Sequence, residues 1–251
     1  MSQPNIYIFT GAGISAPSGI PTFRDTGGIW EKYNLDEVCN FRNWKKNRDK
    51  VFEFYNKMSQ KYNEAKPNEA HLGVANLQKD YGKDRVTIFT QNVDNLLEKA
   101  GCTDVVHLHG KVGYLQCTAC NNVFESEIDV DTRCSKCDSL KGVKPFVVMF
   151  GEQAPNYKHL HHCHKKLKTS DVFMIIGTNG AVVNLTNIMN NPKHVSYHET
   201  NYFLNVMDEK NQYHQIPENE TYYGIESCTT FMPKMRPFID AIMNRDTLVE
   251  E

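Results

Sequence analysis

Ile6-Tyr7-Ile8-Phe9-Thr10-Gly11-Ala12-Gly13-Ile14-Ser15-Ala16 is an apolar run that breaks into two glycines one residue apart. A run without polar alternation predicts a strand buried on both faces, as in a parallel sheet covered by helices. Glycines at its end let the backbone approach a pyrophosphate, and a helix starting there favours the charge. Tight turns of this kind also occur without any nucleotide, so the turn alone leaves both readings open. The acidic residue expected about 20 positions later in a dinucleotide site has no good match, Asp36 being poorly placed.

Working outward, runs of the same kind recur at 86–90 (VTIFT), 105–109 (VVHLH), 172–177 (VFMIIG) and 202–206 (YFLNV). Between them lie helical patterns. Over 43–64, Trp44, Val51, Tyr55, Met58 and Tyr62 fall on one helix face. Asn68 reads as the cap of a helix with Glu69 in its first turn. A short helix is expected over 95–100, and another from Pro237 to Met243. The stretch 111–143 has little periodicity and reads as an insert stapled by metal.

The composition is compatible with this plan. With 40 % hydrophobic and 23 % charged residues in 251, the chain can bury a sizeable core and is no disordered polymer. The length fits one large domain, or one with an insert. Lysine and arginine total 28 against 30 acidic residues, so no basic field marks a nucleic-acid binder. Runs such as Val172–Ile176 are far shorter than the ~20 apolar residues of a membrane span. The opening MSQPNIYIFTGAG lacks the basic and apolar regions of a secretory signal, and a cytoplasmic location is expected.

The sharpest chemical signal is Cys117-x-x-Cys120 followed, 13 residues on, by Cys134-x-x-Cys137. Two thiolate pairs at this spacing supply a tetrahedral zinc site, and four protein ligands leave no position open for chemistry. The metal is therefore structural. His159, His161, His162, Cys163 and His164 also crowd together but read as a solvated helix face. Ser18-Gly19-Ile20-Pro21-Thr22-Phe23-Arg24 suits either a lid or an ordinary surface loop. Gln91, Asn92 and Asp94 at a strand end suit a ligand's carboxamide or ribose, or else the cap of the next helix. His107 and His109 fall on the same face if the strand continues through them, so spacing does not say which would act as a general base.

Taken in order, GAGIS (11–15), SGIPTFR (18–24), KPNEAH (66–71), TQNVD (90–94), HG (109–110), the paired CxxC, FGE (150–152) and GT (177–178) resemble the sirtuin family of NAD-dependent protein deacylases over nearly the whole chain. The resemblance implies an α/β fold: a Rossmann-like parallel sheet (about 1–35, 72–111 and 143–251) with a small lobe inserted. That lobe comprises a helical module (about 36–71) and a zinc ribbon (about 112–142). It further implies NAD as cofactor, held by Gly11, Ala12, Gly13, Ser15, Ile20, Phe23, Arg24, Gln91, Asn92, Asp94, Gly177, Thr178, Asn179, Asn205 and Cys228. The substrate is an acyl-lysine protein or peptide, its backbone lying near Val147, Val148, Met149 and Phe150 and its acyl group near Tyr55 and Met58. No nucleic acid or membrane is required, and a monomer is expected.

The implied chemistry makes His109 the base that draws a proton from a ribose hydroxyl, giving free lysine, nicotinamide and acyl-ADP-ribose. NAD hydrolysis or ADP-ribosyl transfer on the same fold, and non-enzymatic sensing of NAD or ADP-ribose, are the alternatives. GGIWEKY (27–33) and VFEFYNK (51–57) place the chain nearest the branch that removes acidic acyl groups. That branch reads the acyl carboxylate with a tyrosine and, three residues on, an arginine; here these positions hold Tyr55 and Met58. The cofactor side departs too, with Asn179 after Gly177-Thr178, Asn184-Leu185 further on, and Met207 two residues after Asn205.

Overall fold

The computed structural model describes residues 3–22, 33–168, 170–178, 180, 183, 201–205, 221–224 and 226–244, the two strands 201–205 and 221–224 as backbone only. Phe23, Arg24, Asn179, Asn184, Leu185 and Met207 lie outside these residues.

The first run forms β1 (Ile6–Thr10), buried at every position as its lack of alternation predicts. It lies between β2 (Val86–Thr90) and β7 (Val172–Ile176), both parallel to it. β3 (Val106–His107) extends the sheet on one side, and β8 (Asn201–Asn205) and β9 (Thr221–Gly224) extend it on the other. The resulting order is β3-β2-β1-β7-β8-β9. Successive crossovers run one way from β1 to β3 and the other way from β7 to β9. The order therefore reverses between β1 and β7, where the carboxyl ends of an open parallel sheet leave a crevice.

One face of β1, β2 and β7 packs on α3 (Glu69–Tyr81) and the last described helix, α6 (Cys228–Met243). Tyr7, Phe9, Phe89, Phe173 and Ile175 fill the other face together with Leu160 and Cys163 of α5 (Tyr157–His164). Fully burying an aliphatic or aromatic side chain contributes about 1.5–3 kcal/mol, so these layers dominate the stability of the sheet.

A second sheet, antiparallel, has the order β5-β4-β6, with β4 at Gly110–Cys117, β5 at Val123–Glu125 and β6 at Val143–Val147. It packs with α2 (Arg48–Glu64) around Trp44, Phe54, Tyr55, Met58, Leu115 and Met149. The segment 111–143 thus holds more regular structure than its composition shows. Its cysteine-rich part is the turn region of a three-stranded sheet.

Three expected elements differ in extent. The helix expected from residue 43 begins at Arg48, although Trp44, in the preceding turns, is still buried in the same core. The helix expected from Pro237 starts at Cys228, where Ser227 accepts a hydrogen bond from the Thr229 amide. Pro233 and Pro237 lie within it, and the apolar face Phe231, Met232, Ile239 and Ile242 outweighs their two missing donors. The strand expected over 105–109 is only two residues long, because the chain leaves the large sheet at Leu108 and turns into β4 at Gly110. Gly110 has φ +82°, and a Cβ there would fall 2.1 Å from the Phe146 carbonyl oxygen. His107 and His109 consequently do not share a strand face.

Asn68 caps α3 as expected, accepting from the Ala70 amide, and also donates through Nδ2 to Ile14 O (2.8 Å) and Ser18 Oγ (2.9 Å). Replacing Asn68 by Ala is expected to cost about 2–3 kcal/mol, one cap and the better of two half-buried hydrogen bonds. Urea denaturation followed by far-ultraviolet dichroism measures it; a loss under 0.5 kcal/mol would show that these bonds are dispensable.

Candidate active site and metal centre

The crevice between β1 and β7 is built by two turns in close contact. Gly11 N donates to Ile176 O and Gly13 N to Gly177 O. A Cβ on Gly11 would sit 2.6 Å from Thr178 Cβ, and one on Gly177, whose φ is +66°, 2.3 Å from Ile14 N. These glycines therefore serve turn-to-turn packing. Where a helix start is one reading of the stretch after Gly11 and Gly13, the chain forms two single turns of 3-10 helix, Ala12–Ile14 and Ala16–Ser18. Cys228 Sγ lies behind the same turn, 3.6 Å from Gly13 O, in the core beneath the sheet.

Polar side chains converge on this rim. Ser15 Oγ donates to Asp94 Oδ2 (2.9 Å), and Asn92 Nδ2 donates to Ser15 Oγ and Gly11 O, both at 3.1 Å. His71 accepts the Asn68 amide on Nδ1 (3.2 Å), which leaves its proton on Nε2, 3.4 Å from Ser15 Oγ. Burial pushes the His71 pKa down to about 4, so the ring is neutral near pH 7. Burial pushes the Asp94 carboxyl up, against the Leu96 amide and the Ser15 hydroxyl, which both donate to it. The Asp94 carboxylate thus caps the next turn, as the capping reading expects, and also joins the network. Gln91 Nε2 donates to Thr178 Oγ1 (3.2 Å), tying β2 to the β7 turn. Ile20 is buried in the same core cluster as Phe54, Tyr55 and Met58.

The two histidines have distinct partners. His107 bonds Asn92 O through Nδ1 (2.9 Å) and Glu98 Oε1 through Nε2 (2.8 Å). Burial acts to raise the Glu98 pKa, but hydrogen bonds from His107 and Lys111 bring it down to about 2. His109 places Nδ1 2.9 Å from Gln91 O and Nε2 2.8 Å from Tyr157 Oη. A carbonyl only accepts, so Nδ1 carries the proton and Nε2 the lone pair. Burial holds the His109 pKa below the usual imidazole range, the Gln91 carbonyl opposing. A neutral ring with a fixed tautomer has what a general base needs.

Tyr55 and Met58, each 2 % exposed, share the small-lobe core with Val147 and Met149. Tyr55 Oη lies 3.5 Å from Cys39 Sγ, and the Tyr62 hydroxyl approaches Met58 Sδ at 4.0 Å. Lys57 is exposed and bonds Glu53 and Tyr33. The Val148 amide donates to His109 O and the Phe150 amide to Cys39 O, so both donors are already engaged. Phe150 itself is largely exposed. Asn205 ends β8 on the same edge of the sheet.

Two site-shaping groups escape the sequence reading. Lys144, fully buried, donates to Val147 O (2.8 Å) and pairs with Glu152 (3.1 Å), which also accepts from the Met149 amide (2.9 Å). Burial lowers the Lys144 pKa and Glu152 opposes it. A lone lysine in a strand gives no sign of this; the FGE string holds its partner. Tyr157 is the other, and nothing in its sequence context marks it.

The four cysteines of the CxxC pairs bring their Sγ atoms within 4.8 Å of one another, and the only such cluster among the described residues is this one. Cys117–Cys137 and Cys120–Cys134 are each 3.6 Å apart. That spacing excludes disulfides, whose sulfurs lie about 2.05 Å apart. It matches the ~3.8 Å edge of a tetrahedron with zinc–sulfur bonds of about 2.3 Å. The thiolates thus fit one structural zinc, as the sequence predicts, and the described part of the histidine-rich helix adds no second cluster.

An all-parallel sheet with a polar crevice at its reversal point and a four-thiolate ribbon define an α/β protein of the dinucleotide-binding class. Residues 11–184 match the model of the Sir2 family. The NAD-dependent protein deacylase of Campylobacter jejuni (strain RM1221) is 45 % identical over 181 residues, 71 % of this chain and 76 % of the relative. NAD-dependent protein deacylase 1 of Archaeoglobus fulgidus is 41 % identical over 181 residues, 70 % and 72 % of the two chains. The crystal structure of a Sir2 homologue–NAD complex superimposes with a TM-score of 0.76 at 31 % identity, covering 94 % of this chain and 90 % of that one. The chain belongs to the Sir2 family, the sirtuins.

Cys120→Ser is expected to reduce bound zinc from one per chain to well below half, measured by inductively coupled plasma mass spectrometry. The ribbon should become sensitive to limited proteolysis between residues 117 and 143, because its fold depends on the metal. Full zinc occupancy in the variant would remove Cys120 from the ligand set.

Proposed function

We propose that this protein is an NAD-dependent protein-lysine deacylase in which His109 is the general base. One observation carries the reading: in a Sir2 chain, Gln91 O fixes the His109 ring with its lone pair on Nε2. The hydroxyl, amide and carboxylate donors and acceptors of Ser15, Gln91, Asn92, Asp94 and Thr178 suit a nicotinamide carboxamide and ribose hydroxyls. When bound, NAD supplies the electrophilic sugar carbon and accepts the acyl group. Gly11, Ala12, Gly13, Ile20, Phe23, Arg24, Gly177, Asn179, Asn205 and Cys228 complete the proposed cofactor set. The acyl-lysine segment is proposed to lie along Val147–Phe150, using groups other than the Val148 and Phe150 amides. The large lobe and the small lobe of helices and ribbon frame this cleft.

A panel of acyl peptides, with mass-spectrometric detection of acyl-ADP-ribose, tests the reading. Turnover is expected only with NAD and is expected to fall at least 10³-fold in His109→Ala, the scale of losing general-base catalysis. Deacylation without NAD would refute it. Rapid nicotinamide release without any peptide would instead favour NAD hydrolysis.

We further propose that the acyl group is uncharged. The Tyr55–Met58 site lies in an apolar core, and the adjacent lysine, Lys57, faces solvent and pairs with Glu53. A buried carboxylate without a cationic partner is costly. Met58→Arg is expected to raise the desuccinylation-to-deacetylation ratio of kcat/KM about 10-fold or more, the worth of one charged hydrogen bond. An unchanged ratio would place Met58 outside the acyl site.

Two CxxC pairs arranged to hold metal as thiolates fit a reducing compartment, and cytoplasmic action is proposed on that ground. No described helix is long and apolar enough to cross a membrane. Action as a monomer, without nucleic acid, completes the proposal.

A further inference from the structure

Two consecutive residues at the start of α5 grip the segment that carries the base. Asn156 Nδ2 donates to His107 O at 2.7 Å, and the Tyr157 hydroxyl lies 2.8 Å from His109 Nε2. Because Nδ1 of His109 donates to Gln91 O, Tyr157 is the donor to Nε2 in the resting protein. The two rings are tilted by 42° with centroids 5.8 Å apart. The Tyr157 ring packs on the cluster of Tyr7, Phe9, Phe89 and Leu108, and its amide donates to Ala154 O. Backbone and packing therefore aim the hydroxyl.

We propose that Tyr157 is a positioning residue for the base, its hydroxyl holding the His109 ring in place and supporting the positive charge that forms there. The inference rests on the deacylase reading for its use, not for its geometry. In the base step a ribose O–H bond breaks and an Nε2–H bond forms, the ribose oxygen keeping the electron pair. Tyr157 keeps its own proton. The phenol O–H first leaves the one Nε2 lone pair, which the ribose hydroxyl takes in its place; turned about its C–O bond, the phenol then presents its oxygen to the new Nε2–H, and a hydrogen bond from a cation is stronger than the neutral one it replaces. Burial works the other way, disfavouring the imidazolium. Tyr157 thus counters on one nitrogen what Gln91 O counters on the other, and keeps a buried histidine basic enough to act.

Other charged groups nearby are spoken for among the described residues. His107 and Lys111 both bond Glu98, and Asp94 is held by Ser15 and the Leu96 amide. From α5, the titratable group in contact with His109 is Tyr157, which burial keeps protonated.

The test is a nuclear magnetic resonance titration of ring-labelled histidine in the zinc-loaded protein, without NAD or peptide, comparing wild type with Tyr157→Phe. The Phe ring keeps its place in the cluster. The His109 pKa is expected to fall by about 0.5–1 unit, the loss of one hydrogen bond to the charged form. Tyr157→Gln, which returns a polar partner, is expected to recover part of the shift. In turnover, Tyr157→Phe should move the acid limb of the pH profile to lower pH while the plateau kcat falls about 2- to 5-fold, because a weaker base stays neutral further down but pulls less strongly. An unchanged His109 titration would overturn the proposal, and so would a plateau that rises, which would make Tyr157 an obstruction. Since the titration needs no turnover, it decides this point even if the chain proves not to be a deacylase.

Discussion

Two turns that touch backbone to backbone set the terms for everything above the sheet. Gly11 and Gly177 meet where β1 and β7 end, with separations that leave no room for a Cβ on either. The Gly13–Gly177 hydrogen bond locks the contact. Ser15, Gln91 and Asn92 are all hung from this junction: Asn92 and Ser15 through the Gly11 turn, Gln91 through Thr178. Their mutual bonds are possible only because the two strand ends approach this closely. The glycines whose turn leaves a pyrophosphate contact open in the sequence also form, in the described structure, the joint between two strand ends.

A buried polar network follows from that joint. Ser15 receives from Asn92, donates to Asp94 and faces His71, so four side chains from three separate stretches of sequence satisfy one another. Such a network rigidifies a site only when it is complete, since an unpaired member would cost about 1–3 kcal/mol. Here it is complete through His71, whose tautomer is set by the Asn68 amide. The cap of α3 and the polar rim of the crevice are thereby one structure.

Much of this was legible in the chain, for identifiable reasons. Strands without alternation announced a parallel sheet, Asn68 announced a helix, and two CxxC pairs announced a tetrahedral thiolate set. What escaped were features in which tertiary contact overrides local pattern. The run VVHLH looks like one strand, yet Gly110 turns the chain into another sheet and gives the two histidines different partners. Two prolines hid the first half of α6, whose apolar face holds it helical. Tyr157 and Lys144 matter through what they touch across the fold, and local spacing carries no information on that.

The ribbon's attachment has a mechanical meaning. β4 begins one residue after His109, β6 ends one residue before Val148, and the Val148 amide returns to His109 O. The backbone of the base is therefore pinned at the mouth of a hairpin whose far end the four thiolates tie together. A shorter effective loop costs less entropy to close, by about 0.6 kcal/mol for each halving of its length. An ion that never meets a reactant thus lends its stiffness to the imidazole some distance away, much as a clasp at the tip of a pair of tweezers steadies the grip at the other end.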